Sequence, residues 1–195
     1  MSNGKPLVYL ACPYFTDWQK KEVDRVLEVL TQCDYDCWFW VRDGVVVNPS
    51  MGSAGRREAL MQNIKSIDKC DLLLAMVDGK SIYTEFNEEE MRYLKSLPDS
   101  IFKKLEKLVN RDVGTIFEMG ADFVMSKPMV TYSVRGMDPN LMLVESCLGH
   151  VKNEQELIDC LNTLHPVIGS LEITEDKAKV IAEVQAKYKF RGEIY

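Results

Sequence analysis

Residues 72–77 read Leu-Leu-Leu-Ala-Met-Val, and Asp78 and Gly79 follow them directly. A short apolar run that ends in turn-forming residues is typical of a strand, because helices usually need a longer segment. The run does not alternate with polar residues, so a strand here has both faces buried. Parallel strands at the centre of an α/β sheet have this property. We therefore expect a central parallel strand at 72–77.

Apolar patterns on either side of this run predict strands that alternate with helices. Further strand-like segments are 7–11, 37–41, 45–47 and 129–133. Helical spacing connects Val23, Val26, Leu27 and Leu30, and further helices are predicted at 56–67, 115–125, 153–164 and 174–188. This alternation predicts a flavodoxin/Rossmann-like α/β fold, a doubly wound parallel sheet of about five strands with helices on both faces.

Residues 80–111 interrupt the alternation of strands and helices. Ile101, Leu105 and Leu108 have helical spacing, and the segment Pro-Asp-Ser at 98–100 separates two helical pieces. We therefore expect an inserted helical hairpin at about 80–111 within a single domain that spans residues 1–195. The role of this insertion stays open between a lid over the site and an additional subunit contact.

The charge balance excludes some classes of partner. Of the 195 residues, 24 are basic and 30 are acidic, which gives a formal net charge of −6. A mildly acidic chain without a basic cluster argues against a nucleic-acid partner. No apolar run approaches the roughly 20 residues of a membrane-spanning helix, and the first residues do not resemble a signal peptide. We expect a cytoplasmic protein that does not bind membranes.

The cysteines do not form a recognisable metal-binding pattern. They lie at positions 12, 33, 37, 70, 147 and 160, without a C-x-x-C pair, and His150 and His165 are the only histidines. Reduced thiols are the simplest interpretation in a cytoplasmic protein. We expect no metal and no other cofactor.

The carboxyl ends of the strands are where ligands bind in folds of this class. The corresponding loops are 12–17, 48–57, 78–79 and 112–118. Thr115 and Glu118 have the spacing of a capping box, an interpretation that requires no function. Alternatively, Glu118 faces the ligand cleft as a nucleophile with Asp112 nearby, since paired carboxylates suit glycosyl chemistry. The spacing alone leaves both open.

Three other segments also allow two interpretations. Thr16 or Asp17 is an N-cap after the first strand, or else Tyr9 at the end of that strand holds a carboxylate through its hydroxyl. Residues 38–40, Trp-Phe-Trp, stack a base or pack against a helix or another subunit. The last residues, 192–195, read Gly-Glu-Ile-Tyr, and their apolar and aromatic side chains favour docking over fraying.

Taken together, these segments resemble the nucleoside 2-deoxyribosyltransferase family. Tyr9 with the pattern Phe-Thr-Asp-x-Gln at 15–19 is similar to the first strand and loop of that family, and 70–74 to its central strand. The pattern Asp-x-Gly-x-x-x-Glu-x-Gly at 112–120 resembles its catalytic motif. Residues 139–142 resemble a later loop, and 192–195 the carboxyl end. The segments occur in the family's order over nearly the whole chain, apart from 80–111 and part of 165–187.

The resemblance implies transfer of 2-deoxyribose between nucleobases, with retention of configuration, through a covalent intermediate on Glu118. Tyr9 would orient Glu118, and Asp112 would bind the sugar hydroxyl and assist proton transfer at the base. Deoxynucleosides and free nucleobases are the implied partners, together with a second copy of the chain in a homo-oligomer with shared active sites. The substrate-binding residues implied are Phe15, Gln19, Asn63, Gly114, Asn140, Met142 and Tyr195.

Several of these positions have a more specific expectation. Asn140 would reach the site of a neighbouring subunit, and the carboxylate of Tyr195 would close the base pocket. Asn63 stands where the family often has an acid that contacts the base, and an amide supplies no acidic proton. Cys12 replaces the usual glycine of the first loop. The preference for purine or pyrimidine bases therefore stays open.

Two other functions remain as alternatives. The first is a nucleoside 5′-monophosphate N-glycosidase of the same superfamily, in which water accepts the sugar. Such an enzyme must hold a phosphate, and Ser50, Ser53, Arg56 and Arg57 could bind one. The same residues are also explained as a solvated loop that leads into a helix. The carboxyl end at 192–195 favours base exchange. The second alternative is a non-catalytic nucleotide-binding module, which the joint presence of Tyr9, Asp112 and Glu118 disfavours.

Overall fold

A computed structural model describes residues 4–45, 50–78, 88–102, 105, 113–134, 146–169 and 174–188. Within these ranges the sheet has five parallel strands in the order β2-β1-β3-β4-β5. The strands are β1 (Leu7–Ala11), β2 (Asp36–Phe39), β3 (Leu72–Met76), β4 (Met129–Tyr132) and β5 (Gly149–Val151). This is the strand order of flavodoxin-like doubly wound sheets. The predicted fold class is confirmed, with the apolar run as the central strand.

Helices cover both faces of the sheet. They are α1 (Asp17–Gln32), α2 (Trp40–Asp43), α3 (Ser53–Lys69), α4 (Glu88–Lys95), α5 (Val113–Val124), α6 (Glu154–Leu164) and α7 (Glu175–Tyr188). The apolar side chains of α1, α6 and α7 pack on one face, and those of α3 and α5 pack on the other. The predicted helices at 56–67, 115–125, 153–164 and 174–188 are confirmed to within three residues at each end.

The alternation of side chains along β1 divides them between the two faces. Val8 and Leu10 belong to the core formed with α1, α6 and α7, whereas Tyr9 and Ala11 belong to the core formed with α3 and α5. All four are completely buried. The position of β1 between β2 and β3 thus places the Tyr9 ring under α3 and α5.

Two strand predictions need correction. Residues 40 and 41 form part of α2 rather than extending β2, because the Asp43 carboxylate accepts the backbone N–H of Phe39 at 2.8 Å and closes a turn. Val45 is not in a strand, and 46–47 lie outside the described residues. The fifth strand is instead β5, whose short sequence Gly-His-Val contains no apolar run that would reveal it.

The predicted insertion is described in part. It contains α4 and helical backbone at 99–102, with Pro98 between them, and the Pro98 carbonyl accepts the N–H groups of Ile101 and Phe102. The rest of 80–111 lies outside the described residues, so a complete hairpin within a single domain stays a prediction. No described helix combines the length and the apolar character that crossing a membrane requires.

Asp78 links β3 to β4 at the carboxyl edge of the sheet. Its buried carboxylate accepts the Ser133 hydroxyl at 2.9 Å and the backbone N–H of Val134 at 2.6 Å. Hydrogen bonds to an ionised acceptor are stronger than those between neutral groups. This contact therefore fixes the two strand ends that border the edge where ligands bind in this fold.

A second buried carboxyl, Asp122 on α5, lies in a different environment. Its relative exposure is 1%, and its Oδ2 has no hydrogen-bond partner among the described residues. Burial raises the pKa of Asp122 to about 7, although the nearby Lys127 acts in the opposite direction. Ionisation of Asp122 therefore opposes folding.

We expect Asp122→Asn to change the pH dependence of stability. The unfolded chain releases the Asp122 proton near pH 4, whereas the folded protein keeps it up to about pH 7. Stability of the natural protein therefore falls as pH rises through this window. Urea unfolding should show the variant to be more stable at pH 8 by roughly 1–3 kcal/mol, with a smaller difference at pH 5.

The exposed carboxylate Glu183 on α7 provides the control, since Glu183→Gln makes the same change of charge at the surface. Its unfolding free energy should differ from that of the natural protein by the same small amount at both pH values. An equal effect of Asp122→Asn at pH 5 and pH 8 would contradict the account of Asp122.

Candidate active site

Glu118 lies in the first half of α5, where its half-buried side chain meets residues from two other elements. The Tyr9 hydroxyl of β1 donates to Glu118 Oε1 at 2.6 Å. Asn63 Nδ2 of α3 donates to the same oxygen at 3.2 Å. The fold therefore brings together three predicted site residues that are far apart in sequence.

Tyr9 is held as a neutral donor. It is fully buried, and burial together with the Glu118 carboxylate raises the pKa of its phenol far above the usual range. The hydroxyl therefore keeps its proton and donates a hydrogen bond to the carboxylate. Of the two groups in this contact, Tyr9 is thus the one that stays neutral and donates.

Trp38 supports the Tyr9 ring from β2. Their ring centroids are 4.8 Å apart and their planes differ by 15°, which is a stacked arrangement. The parallel register pairs Tyr9 directly with Trp38, so both side chains point to the same face of the sheet. Trp38 was not among the predicted site residues, and the sequence left its packing open. Pairing of the first two strands is the signal that would have identified it.

The loop after β1 is organised by the start of α1. Thr16 is the N-cap, with its hydroxyl accepting the Gln19 N–H at 3.2 Å, and Gln19 Oε1 accepts the N–H groups of Phe15 and Thr16 at 3.0 Å. This reciprocal arrangement is a capping box. Of the two N-caps considered, Thr16 is the correct one.

Gln19 and Phe15 differ in exposure. Gln19 is buried, and its Nε2 has no hydrogen-bond partner among the described residues. Phe15 is 58% exposed. Capping thus explains the position of the Gln19 amide oxygen, and it does not explain the buried nitrogen. Substrate contacts of both residues stay predictions.

The interpretation of Thr115 and Glu118 as a capping box is wrong. α5 includes Val113, so Thr115 lies inside the helix and is not its N-cap residue. Glu118 instead accepts hydrogen bonds from β1 and α3. Gly114 is exposed in the first turn of α5. The other predicted site residues lie outside the described residues: Asp112, Asn140, Met142 and Tyr195.

The chemistry of these groups does not suggest a metal centre. The described residues contain no cluster of three or more histidine, cysteine, aspartate or glutamate side chains that would hold a metal ion. All six cysteines are free thiols. A carboxylate that accepts hydrogen bonds from two neutral donors is stabilised in its ionised form, which is the form a nucleophile requires.

A comparison with protein families decides the relationship. The family model described as nucleoside 2-deoxyribosyltransferase matches residues 8–159. The chain belongs to this family. The segment that matches the family model runs from β1 into α6. It includes Tyr9, Asn63 and Glu118, whereas Tyr195 lies beyond it.

Solved structures include similar folds at low sequence identity. A 2-deoxyribosyltransferase from the psychrotolerant bacterium Bacillus psychrosaccharolyticus has 18% identity and a TM-score of 0.56, over 78% of this chain and 90% of that chain. A conserved protein from Enterococcus faecalis V583 has 17% identity and a TM-score of 0.54, over 80% and 96%. A CMP N-glycosidase from Clostridium botulinum has 14% identity and a TM-score of 0.46, over 80% and 99%. No curated protein matches the sequence.

We expect Thr16→Ala to weaken the anchoring of the loop after β1. The substitution removes the hydroxyl that accepts the Gln19 N–H, and loss of an N-cap typically costs about 1 kcal/mol of unfolding free energy. Urea denaturation measures this change. Thr31→Ala near the other end of α1 is the control, because its exposed hydroxyl donates to the Leu27 carbonyl in the preceding turn and does not cap the helix start. Equal losses for the two variants would contradict the capping role.

Proposed function

We propose that this member of the family transfers 2-deoxyribose between nucleobases, with Glu118 as the nucleophile. The observation that carries the proposal is the convergence of Tyr9 and Asn63 on one oxygen of Glu118, at 2.6 and 3.2 Å. A carboxylate that only stabilised a helix would not need donors from a strand and from a second helix. A nucleophile does need a fixed orientation and an ionised state.

The proposed reaction consists of two displacements. The Glu118 carboxylate attacks the anomeric carbon as the bond from that carbon to the nucleobase breaks, which leaves a deoxyribosyl ester on the enzyme. A second nucleobase then attacks the same carbon and displaces the carboxylate. Each step inverts the configuration, so the product retains that of the substrate. Asp112 is proposed to bind the sugar hydroxyl and to assist proton transfer at the base.

The remaining site residues are proposed to surround the substrate. Gln19 supports this with a buried amide nitrogen that has no partner among the described residues. Contacts from other positions follow from the family resemblance, with Asn140 entering a neighbouring subunit's site and Tyr195 closing the base pocket. The further positions proposed on the same ground are Phe15, Gly114 and Met142.

The outer surface of α3 and α5 supports a homo-oligomer. Leu60 and Met61 of α3 and Phe117, Phe123 and Val124 of α5 are exposed apolar side chains. Exposed apolar residues on neighbouring helices commonly mark contacts between chains. We propose that a second copy covers this surface, as expected for shared active sites. A cytoplasmic location stays a prediction.

One observation favours the alternative of a nucleoside 5′-monophosphate N-glycosidase. The N-cap of α3 is Gly52, which makes no side-chain capping bond, and the first turn of α3 contains no acid. A helix start of this kind suits a phosphate group. In the hydrolase, water instead of a nucleobase would displace Glu118 from the sugar.

An exchange assay tests the proposed transfer. The protein is mixed with a deoxynucleoside and a different free base, and products are separated by chromatography. We expect the swapped deoxynucleoside. Free deoxyribose as the sole product, above all from a 5′-monophosphate, would contradict transfer and support the hydrolase. No turnover of any of these substrates would support a binding module.

We expect Glu118→Gln and Glu118→Ala to abolish exchange, because neither side chain supplies a carboxylate nucleophile. Glu183→Gln on the surface is the matched control and should retain the natural rate. The assay measures initial rates at saturating base. A Glu118 variant with near-normal turnover would contradict the assignment of the nucleophile.

We expect Tyr9→Phe to lower the exchange rate about tenfold or more, since the loss of a hydrogen bond to a charged group costs on the order of 1.5–3 kcal/mol. The phenyl ring keeps the stacking on Trp38, so the fold should be retained. Tyr93→Phe is the control, because Tyr93 is 68% exposed. A natural rate in Tyr9→Phe would show that the hydroxyl does not support catalysis.

A further inference from the structure

We propose that Asn63 is a positioning residue for Glu118, whose amide holds the nucleophile instead of contacting the nucleobase. This inference rests on the proposed role of Glu118 and revises the substrate contact expected from the family resemblance. Its basis is the hydrogen bond from Asn63 Nδ2 to Glu118 Oε1 at 3.2 Å. One N–H group of the Asn63 amide is therefore already bonded to the protein's own carboxylate.

The placement of Asn63 on α3 favours a fixed side chain. Ala59, Ser66 and Ile67 are buried, and they lie on the same side of the helix as Asn63 at spacings of four and three residues. Asn63 is itself half-buried. The amide thus projects from the inner side of α3 toward α5, and these two helices pack against each other on one face of the sheet.

Two donors from separate elements meet on one oxygen of Glu118. Tyr9 contributes from β1 and Asn63 from α3, and both remain neutral donors: Tyr9 because burial raises its pKa, and Asn63 because an amide does not titrate. Donors to the ionised form of a carboxylate stabilise that form. Together they fix the rotation of the carboxylate and favour its ionised form.

The described elements that pack against α5 differ in the ionisable groups they bring near Glu118. The ionisable side chains of α3 are all exposed: Arg56, Arg57, Glu58, Lys65, Asp68 and Lys69. β1 contributes Tyr9, and β3 has no ionisable residue. Tyr132 of β4 packs on the opposite face of the sheet. The Cys12 and Cys70 thiols contribute to the raised pKa of Tyr9. On α5 itself, Asp122 is buried one turn away, with a pKa of about 7.

An acid at position 63 would introduce a titrating partner beside the nucleophile. Asn63→Asp has the same shape as the natural residue, but its side chain donates only while it is protonated. Two carboxyls in contact share a proton and titrate as a pair. When the shared proton leaves, the donor is lost and two negative charges face each other.

The test compares the pH dependence of exchange for the natural protein, Asn63→Asp and Asn63→Ala. We expect Asn63→Ala to lower kcat about tenfold at high pH and by more at low pH, where the loss of the donor leaves more of Glu118 protonated, with little change in KM. We expect Asn63→Asp to stay close to the natural kcat at low pH and to lose activity as pH rises, where the natural protein shows no such loss. Asn162→Ala, an exposed amide on α6, is the control and should behave as the natural protein.

A second measurement separates this inference from the proposed function. Carbon NMR of the Glu118 carboxyl, identified by its absence in Glu118→Gln, follows its titration without turnover. We expect the midpoint to move to higher pH in Asn63→Ala and the titration to become two-step in Asn63→Asp. These shifts in a protein without exchange activity would support positioning while the proposed transfer fails.

Active natural protein together with unaffected Asn63 variants would overturn the positioning role. Normal exchange in the natural protein, with unchanged kcat, pH profile and Glu118 titration in both Asn63 variants, would mean that the amide does not hold the carboxylate. A rise in KM for one nucleobase with unchanged kcat would also contradict the inference, because it would assign Asn63 to base recognition. Circular dichroism and melting temperature confirm that each variant is folded.

Discussion

The hydrogen bond from Tyr9 to Glu118 is the contact on which the candidate site depends. It joins the centre of the sheet to the first half of α5 at 2.6 Å, across the interface between a strand and a helix. The bond exists because β1 lies between β2 and β3 and because the alternation of β1 directs Tyr9 toward α5. The stacking of Trp38 then limits the movement of the ring. Sheet order, register and helix packing all contribute to one donor–acceptor distance.

The two carboxyls of α5 illustrate how environment separates the properties of similar groups. Glu118 is half-buried and accepts hydrogen bonds from two neutral donors. Asp122, one turn later, is buried, and its Oδ2 has no hydrogen-bond partner in the part of the chain that the structure describes; burial raises its pKa to about 7. Donors favour the ionised form and burial disfavours it. A single helix therefore carries one carboxyl whose ionised form two donors favour, the proposed nucleophile, and another that prefers to keep its proton.

Much of the fold and part of the site could be predicted from the sequence. The apolar run at 72–77 identified the central strand, and helical spacing located α1, α3, α5, α6 and α7. β5 was missed because a three-residue strand leaves no apolar pattern, and the turn at Asp43 that ends β2 depends on a hydrogen bond between side chain and backbone. Tyr9 and Glu118 were found through a motif. The contacts of Asn63 and Trp38 required the packing of α3 and the strand register.

The most direct test of the account is the detection of a covalent intermediate on Glu118. The natural protein is mixed briefly with a deoxynucleoside in the absence of free base, quenched with acid and examined by intact-protein mass spectrometry and peptide mapping. The account predicts a gain of one deoxyribosyl group on the peptide that contains Glu118, and no gain in Glu118→Gln. An adduct on a different peptide, or efficient base exchange without any adduct, would contradict it.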